Sequence, residues 1–88
     1  MRPPHPPHQG GIDAITAQVD EVVALVAGRP IPSFETDLQS IGIDSIAMLE
    51  ILALLEERFD ILLNETSVKD FHTIHDISRI VKELVRPR

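Results

Sequence analysis

The chain has 88 residues, enough for one domain near the lower end of what folds without covalent staples. It contains no cysteine, which excludes a disulfide framework, a thiolate nucleophile and any Cys/His zinc site. The net charge of −6 is concentrated: fourteen acids face five bases between Gly11 and Val85, and from Glu35 to Glu65 the only base is Arg58. Such a field repels nucleic acid and anionic lipid and attracts basic protein surfaces.

Residues 1–10, rich in Pro and His, lack apolar periodicity and are expected to form a disordered tail, with His5 and His8 solvated rather than holding a metal. Arg2 is not followed by an apolar run, so the segment does not read as a secretory signal. No stretch has the length of a membrane span. The expectation is a cytoplasmic protein that works without membrane or nucleic acid.

From Ile12, apolar residues recur at three- and four-residue steps (Ile15, Val19, Val22, Val23, Val26), with Asp13, Asp20 and Glu21 on the other side. This pattern predicts an amphipathic first helix, stopped by Gly28, Pro30 and Pro32. The long connection from Arg29 to Ile43 carries Ile31, Phe34, Leu38, Ile41 and Ile43, so it should lie across the core rather than hang as a tether.

A second helix is expected over Ser45–Phe59. Met48, Leu49, Ile51, Leu52, Leu55 and Phe59 fall on one broad face at 100° per residue, opposite Glu50, Glu57, Arg58, Ile46, Ala47, Ala53 and Leu54. Ile61 and Leu63 then return to the core, and Asn64 or Ser67 caps a short third helix through Phe71. Thr73 and Asp76 resemble a capping box for a last helix in which Ile74, Ile77, Ile80, Val81 and Leu84 form the apolar stripe to Val85. The fold class is therefore all-α: a four-helix bundle of three longer helices and one short, with a long first connection. The folded domain spans residues 11–85, with residues 86–88 as a C-terminal tail.

The segment around Gly42-Ile43-Asp44-Ser45-Ile46 carries the chemistry. Asp44 suits an N-cap, and Ser45 then sits at the positive end of a helix, where a phosphate on its hydroxyl is favoured. By spacing alone, a plain helix cap at Ser45 or Asp44 explains the same residues. No Gly-x-Ser-x-Gly elbow is present, and Asp44 beside Ser45 does not make a catalytic triad. His72 and His75 read as helix-surface histidines.

Asp44-Ser45-Ile46, followed by Leu49-Glu50-Ile51 and Leu55-Glu56-Glu57-Arg58-Phe59, resembles the signature of the acyl carrier protein family. Asp37-Leu38 with Gly42-Ile43 on one side, and Phe71 with Thr73-Ile74 on the other, stand where that family has equivalents. The resemblance covers about Ile12 to Val85 and implies a free-standing, monomeric carrier rather than an enzyme. It implies that Ser45 bears a covalent 4'-phosphopantetheine, added from coenzyme A by a phosphopantetheinyl transferase. It also implies partners with basic docking surfaces (acyl-loading, condensing and acyl-transferring enzymes), met by Asp44, Ile46, Glu50, Ala53, Leu54, Glu57 and Glu65. Ala47, Arg58 and Lys69 depart from the family where acids are frequent, and Asn64 replaces a common proline. Cargo stays open among fatty acyl, polyketide and aminoacyl groups, since Glu57–Ile61 also resembles carriers of single amino acids. The competing reading is an acidic helical interaction module with no covalent cargo, for which Ser45 is dispensable.

Overall fold

The computed structural model describes residues 13–63 and 69–85. Within them, helix α1 spans Ala14–Ala27, α2 spans Ser45–Phe59 and α3 spans Ile74–Val85, with a 3-10 turn at Leu38–Ile41 in the long connection. No strand occurs among the described residues. Helix α1 packs against both α2 and α3.

Local chemistry sets each boundary. Asp13 caps α1, its carboxylate accepting the Thr16 N–H at 2.7 Å. The sequence pattern places Asp13 on the outer helix face, but capping one orphan amide draws it to the start of the helix. Gly28 ends α1 in the left-handed region at φ 78°, where a side chain is strained, and its N–H donates to Ala24 O at 2.8 Å. Asp60 ends α2 in the same region, a conformation aspartate tolerates better than most residues. The capping box of α3 is reciprocal: Asp76 N–H donates to Thr73 Oγ1 at 3.0 Å, and Asp76 Oδ2 accepts from Thr73 N–H at 3.2 Å and His72 N–H at 3.1 Å.

The core is aliphatic. Val19, Val22 and Val23 of α1 meet Met48, Ile51, Leu52 and Leu55 of α2 and Ile74, Ile77 and Val81 of α3, all buried. Full burial of each such side chain contributes about 1.5–3 kcal/mol. The connection lies over this core as its spacing predicts: Leu38 and Ile43 are buried, and Ile31, Phe34 and Ile41 pack partly against it. Two backbone bonds fasten it to the start of α3, Leu38 N–H to His72 O at 2.9 Å and His75 N–H to Phe34 O at 3.0 Å. Arg29 fastens its other end, donating to Ile41 O at 2.7 Å.

Three assignments of helix face change. Leu49 is half-exposed, whereas Leu54 is half-buried against the core. The reason is that α1 flanks α2 on the side of Leu54, so the apolar sector of α2 rotates toward α1. Leu84 at the end of α3 is 47% exposed rather than buried. Ser78, absent from the expected stripe, is fully buried; its hydroxyl is satisfied by Ile74 O at 2.8 Å, one turn back. The short helix expected from Asn64 or Ser67 falls largely on residues 64–68, outside the described residues, as do Glu65, both tails and Ile12.

Candidate functional site

Ser45 is the first residue of α2 and is exposed. It reaches that position because Gly42 adopts φ 100° to close the 3-10 turn, Ile43 is buried, and Asp44 breaks to an extended conformation before the helix. Asp44 is the cap: its Oδ1 accepts the Ala47 N–H at 2.8 Å, and its carbonyl accepts Met48 N–H at 2.9 Å. The cap is thereby assigned to the neighbour of the serine. Among the described residues no side-chain hydrogen bond engages the Ser45 hydroxyl, and Ser45 is exposed, which leaves that oxygen open to solvent.

Beside Ser45 lies a cleft of about 190 Å³ between the 3-10 turn, the start of α2 and the segment leading into α3. Ile43, Met48 and Phe71 form its buried apolar floor; Asp37, Gln39, Asp44, Lys69 and His72 form its polar rim. Asp37 caps the 3-10 turn through the Gln39 N–H at 3.1 Å. His72 shares the cleft with Ser45, but no hydrogen bond joins their side chains among the described residues, and the ring of His75 lies 2.9 Å from Glu35 Oε2 instead. A nucleophile–base–acid chain is therefore not assembled among these residues. Nor do His, Asp and Glu of the described residues gather into a group able to hold a metal ion.

The outer face of α2 carries Ile46 (75% exposed), Leu49 (48%), Glu50, Ala53 and Glu57. Residues 46, 49, 50, 53 and 57 follow one another at helical spacing, so the apolar stripe Ile46–Leu49–Ala53 runs between carboxylates. Leu54 is set back, lining a shallow groove with Val22 and Leu25 of α1. Arg58, the one base of the acidic run, is ion-paired to Glu21 of α1 at 2.7 Å and does not interrupt the acidic face. Sequence reasoning missed both the exposure of Leu49 and this pairing, because each depends on where α1 crosses α2. Asp44 is exposed but engaged as the cap, and Glu65 lies outside the described residues.

The donor set suits a phosphodiester-linked arm: an open hydroxyl, a helix start behind it, and a cleft with an apolar floor alongside. Comparison with known proteins agrees. A family model described as a phosphopantetheine attachment site matches residues 17–81. Acyl carrier protein 1, chloroplastic, of Hordeum vulgare is 32% identical over 74 residues, covering 84% of this chain and 49% of that protein. The acyl carrier protein of Thermobifida fusca (strain YX) is 27% identical over 74 residues, covering 82% of this chain and 90% of its own. The 3-methylorcinaldehyde synthase of Phoma sp. is 30% identical over 87 residues, which cover 97% of this chain and 3% of that protein. The chain spans about half the length of the Hordeum protein.

Proposed function

The chain belongs to the phosphopantetheine-attachment family, whose members carry a covalent 4'-phosphopantetheine and transport cargo rather than transform it, and we propose that it acts as an acyl carrier protein with Ser45 as the attachment residue. The observation that carries this reading is the division of labour between Asp44 and Ser45: the aspartate caps α2, so the serine hydroxyl is left exposed at the helix start. A phosphopantetheinyl transferase joins the Ser45 oxygen to the phosphorus that bears pantetheine in coenzyme A. The pyrophosphate P–O bond breaks, adenosine bisphosphate leaves, and the transferase takes up the hydroxyl proton. When attached, the arm supplies a thiol that holds an acyl or aminoacyl group as a thioester.

The remaining residues orient and present. The N-terminal end of α2 favours the negative charge placed on Ser45. The exposed stripe of Ile46, Leu49 and Ala53, edged by Glu50 and Glu57, offers loading, condensing and transferring enzymes an apolar centre with an acidic rim. Asp44, Leu54 and Glu65 complete the docking set that the sequence suggests. The carrier works as a monomer in fatty acid, polyketide or related biosynthesis, in the cytoplasm. No helix among the described residues is long and apolar enough to cross a membrane.

Intact-mass measurement after incubation with coenzyme A and a broad-specificity transferase tests the assignment. The parent chain gains the mass of one arm and Ser45→Ala gains none. An unmodified parent chain would favour the acidic interaction module; modification persisting in Ser45→Ala would move the site elsewhere.

A further inference from the structure

The turn that delivers Ser45 to the start of α2 is anchored from both sides. On the side of α3, Leu38 N–H donates to His72 O at 2.9 Å. On the side of α1 the anchor is a side chain. Gly28 and Arg29 both donate their backbone N–H to Ala24 O, at 2.8 and 3.2 Å, which fixes the root of Arg29 to the end of α1. The guanidinium then crosses the long connection and donates through Nη2 to Ile41 O at 2.7 Å, a contact between residues twelve apart in the chain. Ile41 ends the 3-10 turn, and the amides that follow do not use its carbonyl: Gly42 N–H donates to Gln39 O and Leu38 O, and Ile43 N–H to Leu38 O. A carbonyl left over at the end of a helical turn needs an outside donor, and Arg29 supplies it.

We propose that Arg29 is a positioning residue for phosphopantetheinyl transfer: by holding Ile41 O against the end of α1, it fixes the turn that aims Ser45 at the transferase. The inference rests on the reading of Ser45 as the attachment residue, and goes beyond it by assigning the presentation of that serine to a second residue. Gly42, Ile43 and Asp44 alone lie between the held carbonyl and Ser45. Ile43 is buried and Asp44 caps α2, so the joint with freedom to swing is Gly42, at φ 100°. Arginine suits the task, because its charge persists at every working pH and a charged donor binds a carbonyl more strongly than a neutral one. Ile41 and Ile43 pack on the core without it, so the bond bears on the aim of the serine more than on the stability of the fold. Arg29 also has an effect of opposite sign. As a bare positive charge on an acidic carrier it opposes a basic transferase, so removing the charge alone would lower KM, most of all at low salt. Removing a positioning residue instead leaves fewer molecules with Ser45 correctly presented, which raises KM by the inverse of that fraction and spares kcat.

The test is steady-state kinetics of modification by a broad-specificity transferase with coenzyme A, the full chain being the varied substrate, for the parent, Arg29→Met and Arg29→Lys. Arg29→Met should raise KM by about fivefold, the population ratio that one net hydrogen bond of typical strength gives. Its kcat should stay near that of the parent, and the rise should persist as added salt screens the charge effect. Arg29→Lys keeps a cationic donor and should recover most of the loss. Amide hydrogen exchange locates the effect: Gly42 and Ile43 should exchange faster in Arg29→Met, while amides inside the three helices keep the parent rates. A KM at or below that of the parent, or a rise that Arg29→Lys does not reverse, would overturn the positioning role while leaving the carrier function intact. Faster exchange throughout the three helices would overturn it as well, since the bond would then serve the whole fold. A parent chain that gains no mass at Ser45 would overturn both readings.

Discussion

Replacing Asp44 and Ser45 separately should divide stability from chemistry. The Asp44 carboxylate satisfies the Ala47 amide at 2.8 Å at the first turn of a 15-residue helix. Asp44→Ala leaves that amide to water and removes a negative charge from the positive helix end. Loss of the cap typically costs about 0.5–2 kcal/mol, and loss of the charge about 0.3–1 kcal/mol more. Asp44→Asn keeps an acceptor oxygen and should lose only the charge contribution. Ser45 contributes no side-chain bond among the described residues and occupies an exposed helical position, where alanine is at least as favourable; Ser45→Ala should therefore leave stability within about 0.5 kcal/mol of the parent. Urea unfolding followed by circular dichroism reads these differences. With a slope of about 1–3 kcal/mol per molar, a loss of about 1 kcal/mol moves the midpoint by roughly 0.3–1 M. Phosphopantetheinylation, followed by mass, should be abolished only by Ser45→Ala. A parent-like midpoint for Asp44→Ala, or a large loss for Ser45→Ala, would mean that the serine is the cap and that its hydroxyl is not free for attachment.

Leu55 is fully buried between the helices, so Leu55→Ala should lower stability by roughly 2–5 kcal/mol, seen as an early thermal midpoint; a parent-like midpoint would show that the core is not built around α2. Burial pushes the Asp13 carboxyl up, but hydrogen bonds from Lys82 and Thr16, together with the Lys82 charge, outweigh it and hold the group at about 2, below its ordinary 3.8. A depressed carboxylate stabilises the fold above the unfolded value and loses that contribution as pH falls through the folded one. Lys82→Met should thus flatten the acid limb of the stability profile between 3.8 and about 2, and an unchanged limb would deny the pair any role. On the docking face, Glu50→Lys should slow association with a loading enzyme and flatten its salt dependence, while Leu49→Ala should mainly speed dissociation; parent-like transfer rates in both variants would remove this face from recognition.

Much of the fold is legible because its boundaries are written in local chemistry. Gly28 stops α1, Asp44 starts α2, and Thr73 with Asp76 starts α3, each through interactions within a few residues in sequence. Leu38 and Ile43 could be placed in the core because a long connection without buried side chains leaves its own backbone unsupported. What the sequence hides is set by tertiary crossing. Helix α2 is apolar nearly all round, so its periodicity alone does not decide whether Leu49 or Leu54 faces inward; the approach of α1 decides it. Ser78 escapes notice for a related reason, since a hydroxyl satisfied by the preceding turn enters the core of α3 without a partner on another helix. The pairs Arg58–Glu21 and Lys82–Asp13 likewise join residues far apart in sequence.

The same distinction explains why the proposed attachment residue is easier to read than the proposed docking surface. Ser45 needs only a neighbouring cap and a preceding glycine turn, both of which are local. The docking face needs a selection among the outward residues of α2, and that selection is made by α1. Once α1 sets Leu54 back in a groove and holds Arg58 through Glu21, the surface most exposed to a partner is Ile46, Leu49 and Ala53 with Glu50 and Glu57 at its edges. Arg58 then contributes to the acidity of that face indirectly: its charge is turned toward α1 and partly cancelled there. Breaking the pair with Glu21→Gln should release the guanidinium toward the rim and weaken docking onto a basic enzyme, with little loss of stability, because exposed ion pairs contribute about 0–1 kcal/mol. Salt-dependent association rates for Glu21→Gln measure this directly. A rate equal to that of the parent at low salt would show that Arg58 stays withdrawn without its partner, and that the acidity of the face does not depend on α1.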